Sequence, residues 1–355
     1  MHTVLVTGGC GFLGQHVVKH LQLYGENVEE IRVFDFVPFK RKLEYDCDKT
    51  ITSIIGDIRD ADSVTRACKG VDAVFHLASK IDVSLIPDDK SMYAVNVKGT
   101  QNIIRACTEQ NVQYLIYCGT LGSFYGYDAV RNGTETSVTF PKICSHGHYG
   151  ETKRKALEIV INENGSTLKN GNVLRTIGIL PPGMYGELDP TNKISRNRSV
   201  RNGIYYRVMG AMEAKLQYSY VGNVAMMFVK AYQSLQNNEK LGGQYFFAVD
   251  DSPPQTHIEY RKPYIGENIG ISSWHLSHRF VCAVLHFIYF CLLIISPFKK
   301  ANFQLSPNVI NFVNTTFYVT YEKAKTLFGY KPLYDYKESV RRTIESLSKV
   351  KSIDQ

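Results

Sequence analysis

A short apolar run, Val4 Leu5 Val6, breaks at Gly8, Gly11 and Gly14 and resumes as Val17, Val18 and Leu21 at the three-to-four-residue spacing of a helix face. The pattern predicts a strand, a tight turn and a helix in immediate succession. Further apolar runs follow at residues 31–36, 51–55, 71–78 and 114–117, with helical spacing between them, as in Ile103, Ile104 and Ala106. Near-continuous apolar strands suit a sheet covered on both faces, and the β–α alternation predicts a doubly wound parallel α/β sheet over residues 1–180, closing with a strand at 173–177. From Pro181 the pattern loosens into a loop, a helix opening near Tyr220 and a strand at 244–249. Residues 181–355 are therefore expected to form a smaller C-terminal substrate lobe, with the elements of 218–250 returning to the first domain.

One later stretch has no polar face. Residues 280–296 are apolar nearly all round, flanked by His278 and Arg279 before and by Pro297, Lys299 and Lys300 after. The run falls short of the roughly 20 residues needed to cross a bilayer comfortably, so its expected role is a helix inserted into or lying on a membrane, with a buried core helix as the alternative.

The chemistry-bearing residues sit at the predicted strand ends. Gly8 permits the turn, Gly11 lets a pyrophosphate approach the backbone, and Gly14 lets helix and strand pack closely. The free N–H groups at the helix start, around Phe12 and Leu13, face the phosphates, and Asp35 ends the second strand about 20 residues on, as a dinucleotide (Rossmann) fingerprint requires. Asp57 ends the third strand. Tyr149 and Lys153 lie four apart on one helix face, where the ammonium favours the phenolate and the hydroxyl can serve as acid or base on an alcohol or ketone. The same Lys153 can hold a cofactor ribose. A third hydroxyl is expected after the fifth strand, from Thr120 or alternatively Ser123.

Composition narrows the class. The 355 residues are 44% hydrophobic and carry a formal net charge of +8, spread along the chain without the basic stripe that nucleic-acid binding needs. The eight cysteines include no C-x-x-C pair, so neither a disulfide framework nor a metal site is expected. The first strand begins almost at Met1, which argues against a signal peptide and makes the sequons at Asn132, Asn164, Asn197 and Asn314 chance matches.

Thr7 to Gly14, Asp35, Asp57 and the Tyr149/Lys153 pair resemble an extended short-chain dehydrogenase/reductase. Residues 220–225, 242–253 and 330–334 narrow this: over nearly its whole length the chain resembles the 3β-hydroxysteroid dehydrogenase/Δ5–Δ4 isomerase family. The resemblance implies oxidation of the 3β-hydroxyl of a steroid or sterol with NAD, followed by movement of the ring double bond into conjugation. It implies Tyr149 as base, Lys153 as its partner, Thr120 in place of the usual serine, Asp35 on the ribose, Asp57 at the adenine, and Asp250 and Asp251 as the isomerase acids. It further implies a membrane-associated enzyme on the endoplasmic reticulum, catalytic part facing the cytosol, or in mitochondria; a homodimer is compatible with it. The chain departs from the family's Thr-Ser-Ser at Cys118 Gly119 Thr120 and carries Gly150 after Tyr149. A sterol-4-carboxylate 3-dehydrogenase, a nucleotide-sugar epimerase or dehydratase, and a non-catalytic NAD-binding membrane protein are the competing readings.

Overall fold

Seven strands, β1 (His2–Thr7), β2 (Val28–Asp35), β3 (Thr50–Ile55), β4 (Ala73–His76), β5 (Tyr114–Cys118), β6 (Arg175–Leu180) and β7 (Gln244–Phe247), form one sheet in the order β7-β6-β5-β4-β1-β2-β3. Every pairing in it is parallel. The computed structural model describes residues 2–190, 200–201, 204–205, 214–265, 270–271, 277–295 and 306–353. Helices α1 (Phe12–Tyr24), α2 (Ala61–Ala67), α3 (Asp89–Tyr93), α4 (Gly99–Gln110), α5 (Gly147–Asn162) and α6 (Val221–Asn237) cover its two faces. Helix α3 runs through a π-turn at Ala94–Lys98 directly into α4.

The alternation of each strand divides the core. Val4 and Val6 point to one face, with Phe75, Ile116 and Ile177, where they meet Val17, Val18 and Leu21 of α1 and Val224, Phe228 and Tyr232 of α6. Leu5 points to the other, with Val74, Leu115 and Tyr117, against Ile103 and Ala106 of α4 and Ala156 and Leu157 of α5. Burial of a large apolar side chain contributes about 1.5–3 kcal/mol. Strand β7 and helix α6, from beyond residue 180, thus complete the first domain's sheet and core. The loop after Pro181 carries a short strand, Gly183–Tyr185, paired in parallel with Tyr218–Tyr220. Strand order reverses between β1 and β4, and the crevice at the carboxyl ends of such strands is where ligands of open α/β sheets bind.

The apolar segment forms helix α7 (His278–Ile295), followed by α8 (Pro307–Val313). Its 18 residues rise about 27 Å, short of the ~30 Å hydrocarbon core, and among the described residues no helix is long and apolar enough to cross a membrane. Nor is it a buried core helix: Val281 and Leu285 pack against Ile310 of α8, while Phe280, Val284, Phe287, Phe290 and Ile294 are each at least 40% exposed. Pro297, Lys299 and Lys300 lie outside the described residues, as do residue 296 and Asn197. All eight cysteines are free thiols.

Three buried histidines set an acid limit on this core. His16 bonds the Glu187 carbonyl at 2.9 Å, His20 the His16 carbonyl at 2.7 Å, and His76 sits between two threonines. Burial lowers them from the ordinary 6.5 to about 4, 3 and 3. Since the unfolded chain binds these protons near pH 6.5 and the folded chain does not, their stabilising contribution is whole above pH 6.5 and is lost as pH falls toward 4. The urea midpoint is expected to fall steadily from pH 7 to pH 5, and His76→Gln should flatten that slope; a pH-independent midpoint would refute the assignment.

Candidate active site

The glycine turn builds the floor of the site. Gly8 adopts φ 71°, and a side chain there would come within 2.8 Å of the Ala78 backbone. At Gly14, inside the first turn of α1, a Cβ would lie 2.2 Å from the Gly8 carbonyl oxygen, so only glycine lets the helix start this close to β1. The result is a cavity of about 980 Å³ lined by Gly8, Gly11, Phe12, Leu13, Gly14 and Asp35 at one end and by Thr120, His146 and Tyr149 at the other. Free N–H groups at the α1 N-terminus are available to an anion, and the cradle at Gly8 and Gly14 fits a pyrophosphate that a Cβ would displace. The Asp35 carboxylate accepts from the backbone N–H of Cys10 at 2.9 Å and of Phe36 at 2.7 Å, which fixes it at the cavity wall with lone pairs left for ribose hydroxyls. A 2′-phosphate there would meet a like charge, so the donor and acceptor set fits NAD.

Asp57 behaves differently. Its carboxylate pairs with the Arg59 guanidinium at 2.6 Å and accepts the Arg59 N–H at 2.8 Å, and while Gly56, Ile58 and Arg59 line the cavity, Asp57 does not. The local turn pairs the carboxylate with Arg59 beside the cavity.

At the other end of the cavity Tyr149 and Thr120 come together. Burial holds the Tyr149 phenol above its ordinary range, nearby Cys118 adds to this, and a hydrogen bond with Thr120 works the other way. The Thr120 hydroxyl oxygen also accepts from Gly122 N–H at 3.0 Å, capping the short turn Leu121–Phe124. Ser123 is buried, donates to the Gly150 carbonyl at 3.0 Å and is absent from the cavity wall. Lys153 does not reach the phenol to lower it: its Nζ donates to the Cys118 carbonyl at 2.7 Å and lies 4.5 Å from the centre of the Tyr117 ring. Burial brings this ammonium down to about 8, with Cys118 opposing.

Several residues without a motif hold this arrangement. Thr100 Oγ1 donates to the Asn96 carbonyl at 2.7 Å, so it accepts from His76 Nε2 at 3.0 Å, and His76 Nδ1 in turn accepts from Thr7 Oγ1 at 2.8 Å. Asn96 clamps both backbone groups of Lys80, at 2.8 and 2.9 Å, and donates to Thr152 Oγ1 at 3.0 Å. Thr152 Oγ1 then donates to the Tyr149 carbonyl at 2.9 Å. This continuous line joins the end of β1 to the helix that carries Tyr149. The π-turn places Asn96 in it, and nothing in the sequence singled it out, because Lys98, Gln101 and Asn102 beside it are polar too.

The acidic pair of the C-terminal half lies elsewhere. Asp250 is buried, and its carboxylate accepts from Tyr220 N–H at 2.9 Å, Asn223 Nδ2 at 2.8 Å and Ser252 N–H at 3.0 Å, pinning the end of β7 to the start of α6. Asp251 is exposed and accepts from the Tyr321 hydroxyl at 2.7 Å. Neither lines the cavity with Tyr149.

The fold is shared widely. The chain superposes on Pal from Bacillus thuringiensis with a TM-score of 0.71 at 19% identity, covering 98% of this chain and 99% of that one. A Thermus thermophilus UDP-glucose 4-epimerase in complex with NAD gives 0.66 at 21%, with 98% and 99% covered. In sequence, the 3 beta-hydroxysteroid dehydrogenases type 7 of Mus musculus and Homo sapiens are each 32% identical, over 96% of this chain and 94% of theirs. The family model for 3-beta hydroxysteroid dehydrogenase/isomerase matches residues 5–275, and the chain belongs to that family.

Proposed function

We propose that this protein oxidises the 3β-hydroxyl of a steroid or sterol to the ketone with NAD. The observation that carries this reading is a single cavity holding the glycine cradle and Asp35 at one end and the Tyr149–Thr120 pair at the other, in a chain of this family. Bound NAD supplies the hydride acceptor. The chain's own residues do the rest: Asp35 takes the ribose hydroxyls, Thr120 donates to the reacting oxygen, and Tyr149 removes its proton. Lys153, on the same helix as Tyr149 and bonded to the Cys118 carbonyl, is the cation that turns to the phenolate once the site is loaded. We assign Asp250 a structural role, because its lone pairs are engaged in three hydrogen bonds away from the cavity.

Helix α7 lies in the plane of a lipid surface, its exposed Phe280, Phe287 and Phe290 in the interface, which puts a water-insoluble substrate beside the enzyme. The endoplasmic reticulum membrane, cytosolic side, is the location this suggests.

Incubation with NAD and a panel of 3β-hydroxy-Δ5-sterols should raise NADH absorbance, while UDP-glucose should not; no turnover of any sterol would sink the reading. Tyr149→Phe should cut the rate by about 10²–10⁴-fold. An enone band accompanying NADH would extend the activity to isomerisation. Asp250→Asn should lower the urea midpoint and leave the enone-to-NADH ratio unchanged; selective loss of the enone would make Asp250 the isomerase acid instead. In liposome flotation the protein should rise with the lipid and the Phe287→Glu, Phe290→Glu double variant should remain below; equal behaviour of the two would exclude α7 as the contact.

A further inference from the structure

The strap that follows β4, residues 81–87, stands between two cavities. Asn96 clamps its start at Lys80, and the Asp82 carboxylate holds its course by accepting from Ser84 N–H at 3.1 Å and Asp88 N–H at 2.9 Å. Ile81 and Val83 belong to the wall of the main cavity that contains Tyr149. Val83 and Leu85 also line a smaller cavity of about 240 Å³, whose wall includes His286 and Tyr289 of α7. The two cavities therefore share Val83 as a partition. The strap is fastened to α8 as well: the Ser306 hydroxyl, at the helix N-cap, donates to the Val83 carbonyl at 3.0 Å. That same helix packs Ile310 on α7 and, two residues on, sets Phe312 in the main cavity wall, stacked on Tyr125 at 4.6 Å.

Exposure shows which way this boundary faces. Ile81 is 66% exposed although it lines the main cavity, so it stands at the rim, and Phe287, beside His286 on α7, is 69% exposed. Apolar side chains so placed on a rim and on the neighbouring helix suit a lipid surface better than water. The lining of the smaller cavity is mixed, with Ser84, Ser306 and Asn308 beside Val83, Leu85 and Tyr289. Such a wall fits a molecule that is mostly rings and carries one hydroxyl. In a bilayer a sterol keeps that hydroxyl at headgroup level and its rings and tail among the acyl chains, so a protein lying on the surface meets the hydroxyl end first. The hydroxyl is also the end that must reach Tyr149 and Thr120. No reversal is needed between lipid and site.

We propose that the gap between residues 81–87 and α7 is the passage by which a sterol leaves the bilayer, hydroxyl end first, and that its tail stays in the smaller cavity against Val83, Leu85 and Tyr289 while the hydroxyl lies at Tyr149. This rests on the steroid reading above and on α7 as the lipid contact.

The test places a cholesterol derivative with a diazirine at the end of its side chain in phosphatidylcholine vesicles, irradiates it with the NAD-loaded wild-type protein and maps the adducts by mass spectrometry. Any sterol in the lipid will label α7, so the strap decides. Adducts on Val83 and Leu85 that excess cholesterol removes are expected; adducts on α7 alone, or on Met184 and Tyr218 of the main cavity without the strap, overturn the proposal. A second measurement takes the ratio of kcat/KM for one sterol supplied in vesicles to that for the same sterol supplied on cyclodextrin, within each variant, which a general loss of activity would not move. Ile81→Glu puts a charge at the rim and should lower this ratio about tenfold, while Ile81→Leu should keep it. An equal ratio in wild type and Ile81→Glu overturns the proposal. Labelling needs no turnover, which keeps the two readings apart. Labelled Val83 and Leu85 with no NADH from any sterol would sink the dehydrogenase reading and uphold the passage, whereas NADH without labelling of the strap would do the reverse.

Discussion

One run of buried hydrogen bonds ties the two ends of the candidate site together. From Thr7 at the end of β1 it passes through His76, Thr100 and Asn96 to Thr152 and the carbonyl of Tyr149, so the glycine cradle and the helix that carries Tyr149 share a common set of contacts. Polar groups in a dry interior are stabilising only when all are paired, and then they hold a single geometry. Here each donor has an acceptor, and the side branch from Asn96 to both backbone groups of Lys80 adds the loop that follows β4. The π-turn is the local cost of that arrangement: it sets Asn96 where a regular helix would not.

Burial, more than charge pairing, governs the electrostatics of the site. It raises Tyr149 and lowers Lys153 and His146, in each case favouring the neutral form. The Lys153 ammonium finds its support in the Cys118 carbonyl and the Tyr117 ring, not in the phenol four residues before it. A helix spacing of four brings two residues to one face, but the longer side chain chooses its own partner. The pair is therefore a scaffold contact first, joining α5 to the end of β5.

How much of this could be read from the chain depends on whether the constraint is local. The turn at Gly8 to Gly14 and the acid at Asp35 follow from strict spacing within one βαβ unit, and near-continuous apolar runs such as Val4, Leu5 and Val6 were enough to foretell two covered faces. His76, Asn96 and Thr152 carry no such signal, since their partners lie 16 to 69 residues away. Asp57, Asp250 and Asp251 were legible as acids at strand ends but not as acids already engaged, because the donors that occupy them come from a neighbouring turn or from other elements. The apolar run of α7 was plain in the sequence. Its half-docked state was not, since that depends on Ile310 in a helix the pattern did not announce.

The buried line of hydrogen bonds has one more consequence, which concerns protons and not positions. Three of its links end on main-chain carbonyls, those of Asn96, Lys80 and Tyr149, and a carbonyl oxygen accepts a hydrogen bond without passing a proton onward. His76 is held in one tautomer by its two threonines and resists becoming cationic. This line is thus a poor path for protons. On the proposed reading of Tyr149, a proton taken from an alcohol does not leave along it, which leaves Lys153 and the open cavity as the ways out and ties proton release to the access of solvent.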